Sequence, residues 1–240
     1  MKKNKNINLI NWIGVYTLFT KETKRFFKVY QQTILAPAFT SLLFFFVISI
    51  AIGSRVNYEF NYINFLAPGL IIMTMMQNAF ANTSSSILGS KMQGNIVDLL
   101  MPPLNSNEII FSYVSAAIIR SILVGLVTWL FIYPFSELHI FSLLILSIYT
   151  ILGSILLALL GFIAGIWSEK FDNMSGITNF IITPLTFLSG TFYTIDKLPE
   201  PFFIICLFNP FYYIIDGFRS AFQSDINHDL VYGITYISML

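Results

Sequence analysis

Long apolar stretches, separated by short charged segments, run along most of the chain. Five of them are long enough to cross a membrane, since about 20 apolar residues span a hydrocarbon core of about 30 Å. The pattern predicts transmembrane helices over 33–54, 63–85, 109–134, 140–167 and 177–195. Pro184 lies within the fifth window, where a transmembrane helix tolerates it as a kink.

Residues 1–31 are predicted to form an amphipathic helix ahead of the first span. Basic residues share one face at helical spacing and aromatic residues gather on the other, namely Lys21, Lys24, Arg25 and Lys28 against Phe19, Phe26, Phe27 and Tyr30. This favours an interfacial helix whose basic face meets anionic lipid headgroups. An added contact with a partner protein is the alternative.

Segment 89–108, GSKMQGNIVDLLMPPLNSNE, is a polar interruption between the second and third spans. It contains the short amphipathic turn NIVDLL, stops at Pro102-Pro103 and restarts a helix at the cap-like Ser106-Asn107-Glu108. The pattern predicts a short ordered helix rather than a linker. Its apolar face needs cover in water, either from a partner or from the protein's own bundle.

Segment 198–222 follows the fifth span, and Asn209-Pro210 divides its apolar part into two half-length pieces. We predict a re-entrant hairpin on the outer face, with a sixth crossing kinked at proline as the alternative. The last apolar stretch, 230–240, rises roughly 16 Å as a helix and is predicted to be a partial sixth helix.

The distribution of basic residues predicts the orientation, because short loops rich in Lys and Arg stay in the cytoplasm. With the N-terminus inside, the cytoplasmic side carries Lys2, Lys3, Lys5, Lys21, Lys24, Arg25, Lys28, Lys91 and Lys170, whereas the outside carries Arg55, Lys197 and Arg219. Segment 89–108 is therefore expected in the cytoplasm. The first residues lack an apolar core with a cleavage site, so we expect the N-terminus to be retained.

Composition excludes several other classes of protein. The chain is 56% hydrophobic and only 10% charged, against roughly 25% charged residues in a soluble domain. The net charge of +1, with the basic residues gathered at one end, gives no indication of nucleic-acid binding. The single Cys206 and the isolated His139 and His228 imply neither a disulfide framework nor a bound metal. We predict an all-α polytopic membrane protein with no cofactor bound by this chain.

Arg120 is the one charged residue inside the predicted spans. An intramembrane charge usually faces a polar interior or a partner. By helical rise, Gln77 and Asn78 of the second span reach about the same height as Arg120, some 14 to 17 Å from the cytoplasmic ends. We expect these three side chains to form a polar contact, either as interhelical glue or as part of a translocation path.

Two segments of the chain together resemble the ABC type-2 transporter permeases, and the resemblance covers nearly the whole chain. In the loop, the matching positions are Gly94, Leu99, Leu100, Pro103, Ser106 and Glu108. In the outer segment they are Leu198, Pro199, Asn209, Pro210 and Arg219. The sequence is most similar to short bacterial exporters of nodulation factors and polysaccharides.

The resemblance implies a transport function without an ATPase site in this chain. Such permeases pair as dimers, and each half docks an ATP-hydrolysing subunit at the cytoplasmic face. The sequence has no G-x-x-x-x-G-K-[ST] run, so ATP and Mg²⁺ are expected on the partner subunit. The resemblance makes 89–108 the coupling segment, with Ile96, Val97, Leu99 and Leu100 as apolar anchors and Asp98 as a polar contact. It also implies outward transport of a lipid-linked, polysaccharide or amphiphilic drug-like substrate across a bacterial inner membrane.

Two rival functions remain at this stage. A secondary transporter ordinarily carries paired carboxylates within its spans, and the predicted spans contain no acidic residue. A membrane assembly or scaffold protein without ATP coupling would be separated from a permease by its failure to associate with an ATPase. The family's last helix and basic tail are longer than 230–240, so we expect a naturally shortened or incomplete chain.

Overall fold

The computed structural model describes residues 10–53, 62–195 and 198–222, and this part of the chain forms helices and no β-strand. In chain order the α-helices are α1 (Trp12–Lys28), α2 (Ala36–Gly53), α3 (Tyr62–Met92), α4 (Ile96–Leu100), α5 (Ser106–Ile132), α6 (Leu143–Trp167), α7 (Phe171–Ile177), α8 (Thr183–Phe187), α9 (Glu200–Phe208) and α10 (Pro210–Ser220). Wider π-helical turns join α1 to α2 over Gln31–Leu35 and α7 to α8 over Thr178–Ile182. The predicted helix over 230–240 lies outside the described residues.

Four stretches of the described chain are long and apolar enough to cross a membrane. They are Gln31–Ala51, Tyr62–Met92, Ser106–Phe135 and Leu143–Trp167, in the places of the first four predicted windows. A further pair, α9 and α10, is bent by 82° at a short break and forms either a broken span or a re-entrant loop. The chain is therefore an all-α polytopic membrane protein, which confirms the predicted fold class.

The fifth predicted window, 177–195, takes a different form in the structure. Helical backbone runs from Phe171 to Phe187, so it begins and ends earlier than the window. It rises about 26 Å, a little less than the hydrocarbon thickness. Just after the end of the helix the chain turns at Gly190, whose left-handed φ of 72° glycine allows at low cost.

Helix α3 lies at the centre of the bundle and packs against α2, α5, α6 and α10. Its apolar side chains are covered on several sides, with Leu66, Leu70, Ile72 and Met76 completely buried. Asn82 and Thr83 of the same helix are also completely buried. A helix this polar can be buried in a membrane bundle only if its side chains find hydrogen-bond partners inside the protein.

Small residues let α3 and α6 approach each other closely. A Cβ atom added to Gly161 would collide with the Phe80 carbonyl oxygen and the Thr83 Oγ1, and one on Gly165 would lie 3.0 Å from the Ser84 oxygen. Thr83 Oγ1 also donates a hydrogen bond to the Ala158 carbonyl at 2.8 Å. Close backbone packing and interhelical hydrogen bonds are what hold helices together in lipid.

Helix α1 packs side by side with α5. Ser112 donates a hydrogen bond to the Val15 carbonyl at 3.2 Å, and Phe26 clusters with Val124. The buried face of α1 consists of Val15, Leu18, Glu22 and Phe26. Of the aromatic face predicted for this helix, only Phe26 is buried, whereas Phe27 and Tyr30 are exposed. Helix α1 therefore contacts α5 near both of its ends and belongs to the bundle.

Replacing Gly161 with alanine tests the α3–α6 contact. We expect Gly161→Ala to lower the free energy of unfolding by about 1–3 kcal/mol, because the new methyl group meets backbone that cannot move away without separating the helices. Thermal unfolding of the purified protein in detergent measures the change. Gly89→Ala on α3 is the matched control, since nothing lies within 4 Å of its added Cβ. Equal stability of the two variants would contradict this account of the packing.

Candidate functional site

The segment predicted for coupling folds as a short helix between two sharp turns. Helix α3 ends at Met92, and Gly94 then adopts a left-handed φ of 74° that glycine allows at low cost. Helix α4 follows, and Pro102 and Pro103 prevent it from continuing. The segment is thus ordered, in the place that the sequence indicated.

The apolar residues of α4 face two different ways. Leu99 is 8% exposed and packs with Leu18, Ile87 and Tyr113 inside the bundle, while Ile96 packs against the rim of that cluster. In contrast, Val97 and Leu100 are 54% and 69% exposed, and the following Met101 is 77% exposed. Asp98 and Pro103 are exposed as well. Of the predicted anchors, Leu99 therefore holds α4 to its own protein, and Val97 and Leu100 form the outward surface.

A lysine fixes the start of this segment to the end of α6. Lys91 Nζ donates hydrogen bonds to the carbonyl oxygens of Ile166 at 2.6 Å and Ser168 at 2.5 Å. These carbonyls belong to the last turn of α6, where the helix leaves acceptors unpaired and favours a positive charge. The end of α3 and the end of α6 are consequently joined.

A glutamate fixes the other end of the segment. Glu108 accepts a hydrogen bond from the Asn105 N–H at 2.8 Å, which caps the start of α5. It also accepts one from the Asn11 N–H at 2.7 Å, at the N-cap of α1. The helix restart at Ser106-Asn107-Glu108 was evident from the sequence, but the contact with Asn11 was not. One buried carboxylate therefore caps two helices at this end of the bundle.

The polar cluster around Arg120 differs in part from the predicted one. Arg120 Nη2 donates to Asn78 Oδ1 at 3.0 Å, so the structure brings these two residues together. Gln77 instead donates to the Thr186 hydroxyl at 3.1 Å, because it projects from a neighbouring face of α3 toward α8. The structure does not place Gln77 in the Arg120 contact.

Three residues absent from the prediction complete this cluster. Asn82 Oδ1 accepts from Arg25 Nη2 at 3.1 Å and lies 3.5 Å from Arg120 Nη1, and Glu22 Oε2 accepts from Arg25 Nε at 3.0 Å. Asn82 follows Asn78 by one helical turn, a spacing that could have indicated it. Glu22 could have been found as the one acid on a basic helix whose burial needs a charge partner.

The break predicted at Asn209-Pro210 is present, and the helices on either side of it, α9 and α10, are bent by 82° and are called the α9–α10 hairpin below. Pro199 precedes the first turn of α9, and Pro210 opens α10. Between them the buried Asn209 caps α10 by accepting from the Phe211 N–H at 3.1 Å. Its Nδ2 donates to the Leu185 carbonyl at 2.8 Å, which fixes the bend against the end of α8.

Arg219 joins the hairpin to the centre of the bundle. The buried guanidinium donates to the carbonyl oxygens of Phe65 at 3.2 Å and Gly190 at 3.0 Å, and it lies 3.7 Å from the centre of the Phe65 ring. Asp216, one turn earlier, lies 3.9 Å from Arg219 Nη1. The arginine thus connects α10 with α3 and with the turn after α8.

The sequence of this chain is similar to that of known membrane transport proteins. The model of the ABC-2 type transporter family matches residues 14–222, from α1 to the end of the hairpin. The chain belongs to the ABC-2 type transporter family. The inner membrane transport permease YadH of Escherichia coli strain K12 is 34% identical over 213 residues, which cover 88% of this chain and 83% of that protein. Nodulation protein J of Rhizobium leguminosarum bv. viciae is 24% identical over 218 residues, covering 88% and 81% respectively.

Membership of the ABC-2 type transporter family identifies the chain as a membrane transport permease. Within the described residues, no group of three or more His, Cys, Asp or Glu side chains could hold a metal ion. The candidate functional elements of this permease are the outward face of α4, the Arg120 cluster and the α9–α10 hairpin.

Replacing Arg219 tests its role in holding the hairpin. We expect Arg219→Met to lower the free energy of unfolding by about 2–4 kcal/mol, because two buried carbonyl groups lose charge-assisted hydrogen bonds. Arg219→Lys keeps the charge but not the planar donor geometry, so its free energy of unfolding should lie between those of the wild type and the methionine variant. Thermal unfolding in detergent measures all three proteins. Wild-type stability of the methionine variant would show that the clamp contributes little.

Proposed function

We propose that this chain is the permease subunit of an ATP-driven ABC exporter in a bacterial inner membrane. The outward face of α4 supports the proposal most directly. Val97, Leu100 and Met101 form an apolar surface on a helix that Lys91 and Glu108 hold in place. Exposed apolar groups on an ordered loop are typical of an interface with another protein.

The partner we propose is a separate ATPase subunit. Permeases of the ABC-2 family normally work with such a subunit, which would bind ATP and Mg²⁺. A movement of the ATPase against α4 would reach α3 through the turn at Gly94 and α5 through the Pro102–Pro103 turn. The short helix would thereby transmit force to two spans at once.

The orientation we propose places α4 and the N-terminus in the cytoplasm. Lys21, Lys24 and Lys28 of α1 are exposed, and the count of basic residues assigns them to the same side of the membrane as Lys91 and Lys170. This agrees with the excess of basic residues that cytoplasmic loops carry. The α9–α10 hairpin would then approach the membrane from the outer face.

We further propose that the permease works as a homodimer and moves an amphiphile outward. Much of α2 is exposed and apolar, including Phe39, Leu43, Val47 and Ile50, and a second copy could cover part of this face. The resemblance of the sequence to bacterial exporters of nodulation factors and polysaccharides favours a lipid-linked or polysaccharide substrate. An amphiphilic drug-like molecule has the same physical character.

Charged substitutions on the outward face of α4 test the proposed docking. We expect Val97→Asp combined with Leu100→Asp to reduce the permease's stimulation of its ATPase by about tenfold or more, since an unpaired charge buried in an interface costs well over 1.4 kcal/mol. The measurement is the rate of ATP hydrolysis by the purified ATPase subunit, alone and in complex with the permease.

Two control variants separate docking from folding. Asn95→Asp adds a charge to the same segment at an exposed polar position and should preserve stimulation. Leu99→Asp alters the residue buried within the bundle and should lower thermal stability instead. Undiminished stimulation by a correctly folded Val97→Asp, Leu100→Asp protein would exclude α4 as the docking surface.

A further inference from the structure

The cluster formed by Glu22, Arg25, Asn78, Asn82 and Arg120 carries an unbalanced charge. Arg25 and Arg120 contribute two positive charges, and Glu22 contributes one negative charge. Among the described residues, Glu22 pairs only with Arg25, and no carboxylate pairs with Arg120. One positive charge therefore remains without a counter-ion in a largely buried place, which is costly unless an anion approaches it.

Two buried donors of this cluster, and one buried acceptor, Glu22 Oε1, have no hydrogen-bond partner among the described residues. Both arginines are directed at the Oδ1 of Asn82, at 3.1 and 3.5 Å, and Arg25 Nη2 also donates to the Asn82 carbonyl oxygen at 2.8 Å. Arg120 Nε and Asn82 Nδ2 are buried and have no hydrogen-bond partner within the described chain. Arg120 as a whole is only 6% exposed. These unpaired groups surround an excess positive charge, which favours an anion at the exposed edge of the cluster.

One part of this cluster is open to the surroundings. The side chain of Arg25 remains 34% exposed while its Nη2 and Nε bind Asn82 and Glu22. The exposed basic side chains of Lys21 and Lys28, one helical turn before and after Arg25, flank it on α1. An anion can therefore reach the outer edge of the Arg25 guanidinium, where the positive field of Arg120 lies behind it.

The depth of the cluster corresponds to the region of lipid headgroups. Phe80 and Ser84, on either side of Asn82, pack against Gly161 and Gly165 of α6. Measured along the helix axis, the level of Asn82 is therefore within roughly 9 Å of the level of the exposed Trp167 that ends α6. Tryptophan is enriched at the boundary between hydrocarbon and headgroups, where lipid phosphates are available.

We propose that Arg25, with Asn82 and Arg120 behind it, binds the phosphoryl headgroup of an anionic amphiphile from the adjoining leaflet. Arg25 donates directly to the phosphoryl oxygens, and Arg120 stabilises them by its charge. The amphiphile is either a lipid of the bilayer or the transported molecule. The second identity rests on the proposed export function, whereas binding itself does not.

Binding is tested with the full chain in nanodiscs of phosphatidylcholine containing increasing amounts of phosphatidylglycerol. Native mass spectrometry counts the phosphatidylglycerol retained, and thermal unfolding reports the stabilisation that it gives. We expect Arg25→Gln to weaken this response about tenfold or more, as loss of a charge-assisted hydrogen bond does. Lys24→Gln, on the face of α1 opposite the buried stripe, is the matched control and should respond like the wild type.

Asn82→Asp provides a second test, which adds a negative charge to the cluster instead of removing the positive charge of Arg25. The new carboxylate lies between the two arginines and supplies the missing negative charge. We expect this variant to be stable in pure phosphatidylcholine and to lose the response to phosphatidylglycerol. A wild-type response in Asn82→Asp, or equal responses in Arg25→Gln and Lys24→Gln, would overturn the proposal.

Further arms identify the source of the phosphoryl group. Inorganic phosphate that reproduces the stabilisation in phosphatidylcholine would overturn the assignment to an amphiphile. ATP-driven transfer of fluorescent phosphatidylglycerol that depends on Arg25 would support the transported molecule, and binding without transfer would support a lipid of the bilayer. Because retention and unfolding need no ATPase, loss of ATPase coupling alone leaves the binding result intact.

Discussion

The burial of a polar helix at the centre of an apolar bundle is the constraint on which the rest of this structure depends. Lipid offers no hydrogen bonds, so each polar group of α3 needs a partner within the protein. Thr83 binds the Ala158 carbonyl of α6, and the Met75 carbonyl accepts from Ser121 of α5. Ser121 in turn accepts from Ser154 of α6. These bonds determine which faces of α5 and α6 meet α3, and apolar packing fills the space around them.

The charged residues of the permease act mainly on backbone groups that helices leave unpaired. Lys91 binds carbonyls at the end of α6, Glu108 binds N–H groups at the starts of α1 and α5, and Arg219 binds carbonyls of α3 and of the turn after α8. Such contacts satisfy helix ends that would otherwise need water. These contacts hold the ends of the bundle together, even though few ion pairs exist among the described residues.

The sequence was sufficient for the elements that depend on local pattern. Long apolar windows gave the four long spans, Pro102-Pro103 gave the boundary of α4, and Asn209-Pro210 gave the bend of the hairpin, because length and backbone chemistry decide these features. The faces of helices were harder to predict. Which of Leu99 and Leu100 is buried, and whether Gln77 or Asn82 reaches Arg120, depends on a helix rotation that only the neighbouring helices determine. The contact of Glu108 with Asn11 joins residues 97 positions apart and has no local signal.

The bond between Lys91 and the end of α6 has a mechanical consequence. Helices α3 and α6 run in the same direction, approach closely along Gly161 and Gly165, and are fastened at one end by this lysine. A pull on the turn at Gly94 would therefore displace the two helices together, as a single stiff rod. Bending would then occur elsewhere. The π-helical turns before α2 and between α7 and α8 are suited to it, because the regular α-helical hydrogen-bond pattern is already interrupted there.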